Sequence, residues 1–302
     1  MAKSILSRYI DAEVLGKVQG TPVKPRGLVM GNLAGAHKSP LHGFAVEFAG
    51  HREYVIGDDT RHIDWRVFYK RDKYFIKQYE METNFTAHLV LDVSASMRYG
   101  EEQQQKMLYA AQMLTTLGYS IIKQSDRVSL STFDDKICGY VPPGNSMAQV
   151  QRMTEHLDEI EPKEKTDMAE CLSEVAGRTG RREIIMIFSD FFTDLDDLEK
   201  VLQRLRYQQH EVVLFQVLHH DELAFNFDGM IKFIGLEIPD EILMQPSELR
   251  KAYLAALNRF NDRFEEICQA NKVERLLVDT STGMGDFLFD YLNTRGLVRR
   301  AV

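Results

Sequence analysis

The chain has 302 residues, 44% of them hydrophobic and 27% charged, which is the balance of a globular protein with room for one large domain or a domain plus an annexe. Its net charge of −8 argues against a general nucleic-acid binder, which presents a basic face. No apolar run approaches the about 20 residues that a membrane helix requires, so no membrane span is expected.

Met1 to Arg8 shows neither a long apolar core nor an export-type cleavage site. Cys138, Cys171 and Cys268 are odd in number and far apart, which fits neither a disulfide framework nor a thiolate metal motif. Together these features predict a cytoplasmic protein. The charge is uneven: residues 1–85 carry 13 Lys/Arg and 10 Asp/Glu, a net of +3, which leaves −11 for the remainder. That asymmetry either draws the two parts together, offers opposite faces to a partner, or is ordinary solvated surface.

In chain order, residues 1–35 predict a short helix around Ile10 to Leu15, followed by loop punctuated by Gly20, Pro22, Pro25, Gly27, Gly31 and Gly35. Phe44 to Phe48 and Glu53 to Ile56 are candidate strands. Ile63 to Tyr69 and Tyr74 to Glu80 read as a hairpin around Lys70-Arg71-Asp72-Lys73. Residues 1–85 are therefore expected to form an irregular β-containing annexe.

From 86 to 302 the segments alternate. Strands are predicted over 86–92, 127–133, 137–141, 183–189, 211–218, 231–236 and 273–279. Helices are predicted near 102–124, 146–158, 168–179, 194–207, 247–271 and 284–294, several with apolar residues at three- and four-residue steps. This alternation implies an α/β, Rossmann-like, doubly wound and mostly parallel sheet covered on both faces. Ligands of such sheets bind outside the carboxyl ends of the strands.

Asp92-Val93-Ser94-Ala95-Ser96 leaves the end of the first such strand and places one carboxylate and two hydroxyls at i, i+2 and i+4. Hard oxygen donors of this kind select Mg²⁺, Mn²⁺ or Ca²⁺. An Asp/Ser turn bonded to its own backbone is the other reading of the same five residues. Downstream, strand 183–189 ends in Asp190, and Thr166 lies in a polar loop before the next helix. Parallel-sheet geometry brings both toward the edge that carries Asp92.

The set Asp92, Ser94, Ser96, Thr166 and Asp190 resembles the metal-ion-dependent adhesion site of von Willebrand factor A domains. The resemblance implies that the serines and threonine ligate a divalent metal, that the acids act directly or through water, and that one position stays open for an acidic residue of a partner. Two positions depart from the pattern: Lys165 and Phe191 stand where many members have glycine.

A second resemblance rests on Gly57-Asp58-Asp59-Thr60-Arg61-His62-Ile63-Asp64-Trp65-Arg66, then Gln78-Tyr79-Glu80, then the Asp92 loop. Asp221-Glu222-Leu223, the helix through Tyr253, and Asp279-Thr280 extend it. In this order they are similar to the von Willebrand A-like domain-of-unknown-function family number fifty-eight, whose members are often encoded beside MoxR-type AAA+ ATPases. That likeness implies an adaptor or co-chaperone of such an ATPase, acting on the maturation of other proteins.

Asp58, Asp59, Arg61, Asp64 and Arg66 alternate in sign and read as a local ion-pair cluster, with Trp65 as a large buried anchor. A docking role for the same segment is the alternative. His219-His220-Asp221-Glu222 reads as a polar loop, since adjacent residues at a strand end point to opposite faces.

Three functions remain open. The leading one is a non-enzymatic, metal-dependent interaction module. A metal-assisted phosphohydrolase using Asp92 as phosphoryl acceptor is the second, but Ser94 stands where its second acid is needed, and no Gly-rich phosphate loop is visible. A metal-free structural turn is the third.

Overall fold

The computed structural model describes residues 5–26, 34–160, 168–227, 230–234, 241–244 and 246–297. Contacts divide the chain into two units: Gly27–Phe85, and Met1–Arg26 together with Thr86–Val302.

The larger unit is built on a six-stranded sheet. Its strands are β3 (Thr86–Asp92), β4 (Arg127–Phe133), β5 (Ile137–Gly144), β6 (Ile184–Ser189), β7 (Glu211–Leu218) and β10 (Glu274–Asp279). The order across the sheet is β10-β7-β6-β3-β4-β5. Four pairings are parallel and only β4–β5 is antiparallel, so the expected doubly wound, mostly parallel α/β sheet is present. The chain first winds outward from β3 through β4 and β5, then crosses to β6 and winds the other way. The order therefore reverses between β3 and β6, and the crevice at their carboxyl ends is the natural ligand position.

Central strands are apolar on both faces because helices cover both. Val90, Ile185, Ile187 and Leu214 pack with residues of α6 (Met168–Arg178), α7 (Leu195–Tyr207) and α9 (Pro246–Ala270) in one core. The alternate residues Leu89, Leu91, Met186, Phe188 and Phe215 are also fully buried, as the two-residue period of a strand requires. On that side lie α4 (Lys106–Lys123), which contacts four strands, and α10 (Met284–Leu297), whose Tyr291 meets Phe215 edge to face at 5.4 Å.

Residues 5–26 belong to this unit and not to an annexe reaching from 1 to 85. The short helix expected around Ile10 to Leu15 is two helices, α1 (Ile5–Tyr9) and α2 (Ala12–Val18), separated because Asp11 caps the second by accepting a hydrogen bond from the Glu13 amide. Arg8 pairs with Asp158 at the end of α5 (Met147–Asp158), and Lys17 pairs with Asp286 of α10. Arg295, almost fully buried, bonds Glu211, Glu274 and the Lys24 carbonyl. Those glutamates also take Arg26, so one ionic knot fastens the segment to the sheet.

The smaller unit holds β1 (Ala34–Glu53), α3 (Trp65–Arg71) and β2 (Phe75–Thr83). β1 and β2 pair antiparallel with several register shifts. The hairpin expected around residues 70–73 is not formed; its first arm is α3. Asp64 accepts from the Arg66 and Val67 amides, and Asp72 ends the helix in the left-handed region at φ 51°. Cap and stop outweigh the β propensity of Val67, Phe68 and Tyr69. The candidate strand Glu53 to Ile56 is a turn after Glu53, closed by the Asp58 amide on the Val55 carbonyl. A further antiparallel pair, β8 (Ile231–Ile234) with β9 (Glu241–Met244), joins the larger unit's chain; its second strand was not anticipated. Among the described residues no helix is long and apolar enough to cross a membrane.

Candidate functional site

The carboxyl ends of β3 and β6 bring Asp92, Ser94, Ser96 and Asp190 to one edge. Asp92 and Ser94 are 1% exposed and Asp190 is 3% exposed, whereas Ser96 is half-buried. The Ser94 amide donates to Asp92 Oδ1 at 2.9 Å, and Ser189 Oγ donates to Asp92 Oδ2 at 2.6 Å. Asp92 is thus held by a turn amide and by the last residue of the neighbouring strand. The Ser94 and Ser96 hydroxyls lie 3.0 Å apart, with Ser96 opening a single 3₁₀ turn. Thr166 lies outside the described residues.

Burial first, and then the negative charge of Asp190, push the Asp92 carboxyl up to about 7; hydrogen bonds from Ser189 and Ser94 oppose this without cancelling it. The ionised form of Asp92 is thus disfavoured where it stands, and a cation beside it would favour that form. Adjacent ligands of an octahedral ion at about 2.0–2.1 Å sit about 2.8–3.0 Å apart. The Ser94–Ser96 hydroxyl spacing matches that edge. Among the described residues no three His, Cys, Asp or Glu side chains converge as a metal cage. The donors here are hydroxyls and carboxylates, the hard set that suits Mg²⁺ or Mn²⁺.

Lys106 was not anticipated. Its Nζ donates to Asp190 Oδ2 at 2.9 Å and to Glu222 Oε1 at 2.8 Å, and the side chain is fully buried. Burial alone would lower its pKa, but Asp190 and Glu222 outweigh that and raise it, so the ammonium persists. A signal was present in the sequence: Lys106, Ala110, Met113 and Leu117 share the buried stripe of α4, and a lysine on such a stripe needs a buried partner.

Glu222 lies in α8 (His220–Ala224), a one-turn helix where a polar loop was expected. His219 caps it, and Glu222 reaches back to accept from the His219 amide at 2.7 Å. The two histidines do diverge. His219 meets Tyr99 edge to face at 5.0 Å, and His220 Nδ1 lies 2.8 Å from Asp279 Oδ2. The Tyr99 hydroxyl donates to Asp221 at 3.2 Å. Gly100 takes φ +100°, and a Cβ there would stand 2.7 Å from the Gln104 carbonyl oxygen and 2.9 Å from His219. Glycine is thus required where the loop after Ser96 passes that helix.

Phe191 also departs from the glycine pattern without escaping its geometry. It sits at φ 59°, in the left-handed region that glycine tolerates best. Its ring is fully buried and packs at 5.3 Å on Phe264 of α9. Packing holds a strained backbone directly beside Asp190.

In the smaller unit the Gly57–Arg66 segment forms separate pairs and no single alternating cluster. Asp58 pairs with Arg52, Asp59 with Arg61, and Asp64 with His51 at 2.9 Å and Lys77 at 3.8 Å. Arg61 holds the Asp59 carboxyl down at about 2. Arg66 contributes its amide to the Asp64 cap. Trp65 is not a buried anchor: it is 55% exposed, because α3 offers only part of one face to β2.

Comparison with solved structures finds a conserved hypothetical protein BatB from Bacteroides thetaiotaomicron, 14% identical over 70% of this chain and 99% of that one, with TM-score 0.47. An aerotolerance-related membrane protein from Bacteroides fragilis is 15% identical over 70% and 98%, with TM-score 0.48. The VWA domain of SpRpn10 is 8% identical over 69% and 95%, with TM-score 0.40. No curated protein was found to match the chain. The family described as protein of unknown function DUF58 matches residues 50–262, more than half the sequence and both units, and the chain belongs to that family.

Proposed function

We propose that this protein is a non-enzymatic, metal-dependent protein-interaction module. In this reading Asp92, Ser94, Ser96 and Asp190, with Thr166, hold Mg²⁺ (or Mn²⁺ or Ca²⁺) at the sheet edge. The carrying observation is the pair of hydroxyls 3.0 Å apart beside a buried carboxylate. Hydroxyl ligands leave the ion less neutralised than a carboxylate cage does, so it retains attraction for an Asp or Glu of a client protein. When bound, the metal supplies that attraction; the chain orients the donors. Ser189 and the Ser94 amide fix the Asp92 carboxylate, and Lys106 fixes Asp190. We extend the reading, on the family resemblance, to an adaptor or co-chaperone of a MoxR-type AAA+ ATPase.

One observation favours the phosphohydrolase alternative: a buried ammonium beside two carboxylates also suits phosphoryl oxygens. Against it, the residue two beyond Asp92 is Ser94, whose hydroxyl bonds Ser96 and supplies no second acid. Calorimetric titration with Mn²⁺, wild type against Asp92→Ala, tests the metal. Pull-downs with and without EDTA test the client. Equal Mn²⁺ binding by the two proteins sinks the metal reading. Hydrolysis of a phosphomonoester that vanishes in Asp92→Asn replaces the adaptor with the enzyme.

A further inference from the structure

The smaller unit exposes aromatic and aliphatic surface that its own core does not use. Tyr54, Trp65, Phe68, Tyr69 and Tyr74 form one connected mesh. Phe68 stacks on Tyr74 at 4.6 Å, Trp65 meets both edge to face at 6.1 and 6.4 Å, and Tyr54 and Tyr69 extend the mesh at 6.3 Å each. Tyr69 is 88% exposed, and beside Tyr54 the turn carries Val55 at 60% and Ile56 at 96%. Single exposed hydrophobic residues need no explanation, but a contiguous patch does.

Cations line the same surface. On α3, Arg66 follows Trp65, and Lys70 and Arg71 follow Tyr69 in the last turn, with no acid inside the helix. Of the other acids nearby, Asp58 pairs with Arg52, Asp59 with Arg61, Glu53 with Lys73, and Asp64 with His51 and Lys77, while Asp72 stands exposed at the end of α3 and offsets one of the three cations. Trp and Tyr rings with one polar tip, long cationic stems, and an aliphatic pair at a protruding turn are the side chains that the headgroup boundary of a bilayer accepts. A protein hot spot favours the same rings, but an aliphatic tip at a protruding turn, Val55 and Ile56, with cationic side chains on the neighbouring helix, is the combination that an interfacial lipid site uses.

We propose that this face, made of the turn Tyr54 to Ile56 and the exposed side of α3, binds the surface of an anionic membrane peripherally. Ile56, Trp65 and Tyr69 enter the headgroup layer, and Arg66, Lys70 and Arg71 meet lipid phosphates. The idea is independent of the metal edge and uses no residue of it.

Trp65 is the only tryptophan, so its emission reports on this patch directly. The full-length protein is mixed with vesicles of phosphatidylcholine alone, or of phosphatidylcholine with an equal share of phosphatidylglycerol. The anionic vesicles are expected to shift the emission to the blue, shield it from iodide and sediment the protein, and raised salt to reverse all three. Ile56→Asp is expected to abolish the shift while leaving the circular dichroism unchanged. Changing Arg66, Lys70 and Arg71 together to Gln is expected to weaken partitioning about a hundredfold, at about fivefold per basic residue. No response of the wild type to anionic vesicles overturns the proposal, as does a response unchanged in both variants. A blue shift that grows with protein concentration without lipid also overturns it, by giving the patch to a second copy of the chain.

Discussion

Lys106 and Asp190 are buried together at the sheet edge, Nζ to Oδ2 at 2.9 Å, so the chain carries its own cation beside the place proposed for a metal. The ammonium shares itself with Glu222 at 2.8 Å. Without it, Asp190 and Glu222 would both lose their ammonium partner, and Asp190 would act on Asp92 undiminished. Breaking a buried pair by removing one partner costs about 3–5 kcal/mol, mainly because the other charge stays uncompensated. Lys106→Met is therefore expected to melt well below wild type in EDTA. Mn²⁺ is expected to restore more stability to the variant than to wild type, since the ion has more charge to neutralise. Calorimetry of both proteins in EDTA and in Mn²⁺ measures this. Identical melting in EDTA would show that the ion bridge contributes nothing net.

Phe191 gives a prediction with an unusual order. Replacing it by Gly relieves about 1–2 kcal/mol of left-handed strain, but deleting a buried phenyl costs about 3–5 kcal/mol. Packing wins, and Phe191→Gly is expected to lose about 1–4 kcal/mol. Phe191→Ala loses the same ring and keeps the strain, so it is expected to be less stable than the glycine variant by about 1 kcal/mol. Urea melts of the three proteins rank them. An alanine variant more stable than the glycine variant would mean that φ near 59° is not maintained in solution.

His220 and Asp279 give a pH dependence. The bond to Asp279, then its charge, raise the His220 pKa above the ordinary 6.5; for Asp279, burial pushes upward, but the His220 bond and Ser281 lower the carboxyl below 3.8. A raised histidine contributes stability that is fully present below 6.5 and is lost as pH rises through its folded value. A depressed carboxylate contributes stability that is present above 3.8 and is lost as pH falls through its folded value. The contact between α8 and the end of β10 is thus strongest between those limits. NMR titration of the His220 imidazole is expected to give a pKa above 6.5 that returns toward it in Asp279→Asn. An unchanged titration in that variant would refute the pairing.

The local grammar of the larger unit was legible because burial and period coincide there. Strand 86–92 is apolar throughout and buried throughout, and helix 195–207 shows Leu198, Val201, Leu202 and Leu205 at helical steps behind an Asp194 cap. Asp92, Ser94, Ser96 and Asp190 were legible for the same reason, since strand ends in a doubly wound sheet converge on one edge. Where local preference and tertiary context disagree, the context wins. Val67, Phe68 and Tyr69 favour a strand, yet Asp64 and Asp72 bracket them into α3.

By itself, then, the amino-acid order determined the sheet class, most of its elements, and which oxygen donors leave the central strands. Those properties are written in patterns only a few residues long. What only the tertiary structure decided depends on distant parts of the chain meeting. Lys106 and Glu222 are 116 residues apart, and their bond at 2.8 Å exists only because α4 and α8 meet at one sheet edge. Residues 5–26 join the larger unit because Arg295, 271 residues beyond Lys24, closes on its carbonyl. The exposed side of Trp65 follows from α3 being a helix, which propensity had not foretold. Charges buried in an apolar interior must find partners, and the sequence names the charges while the fold alone chooses the partners.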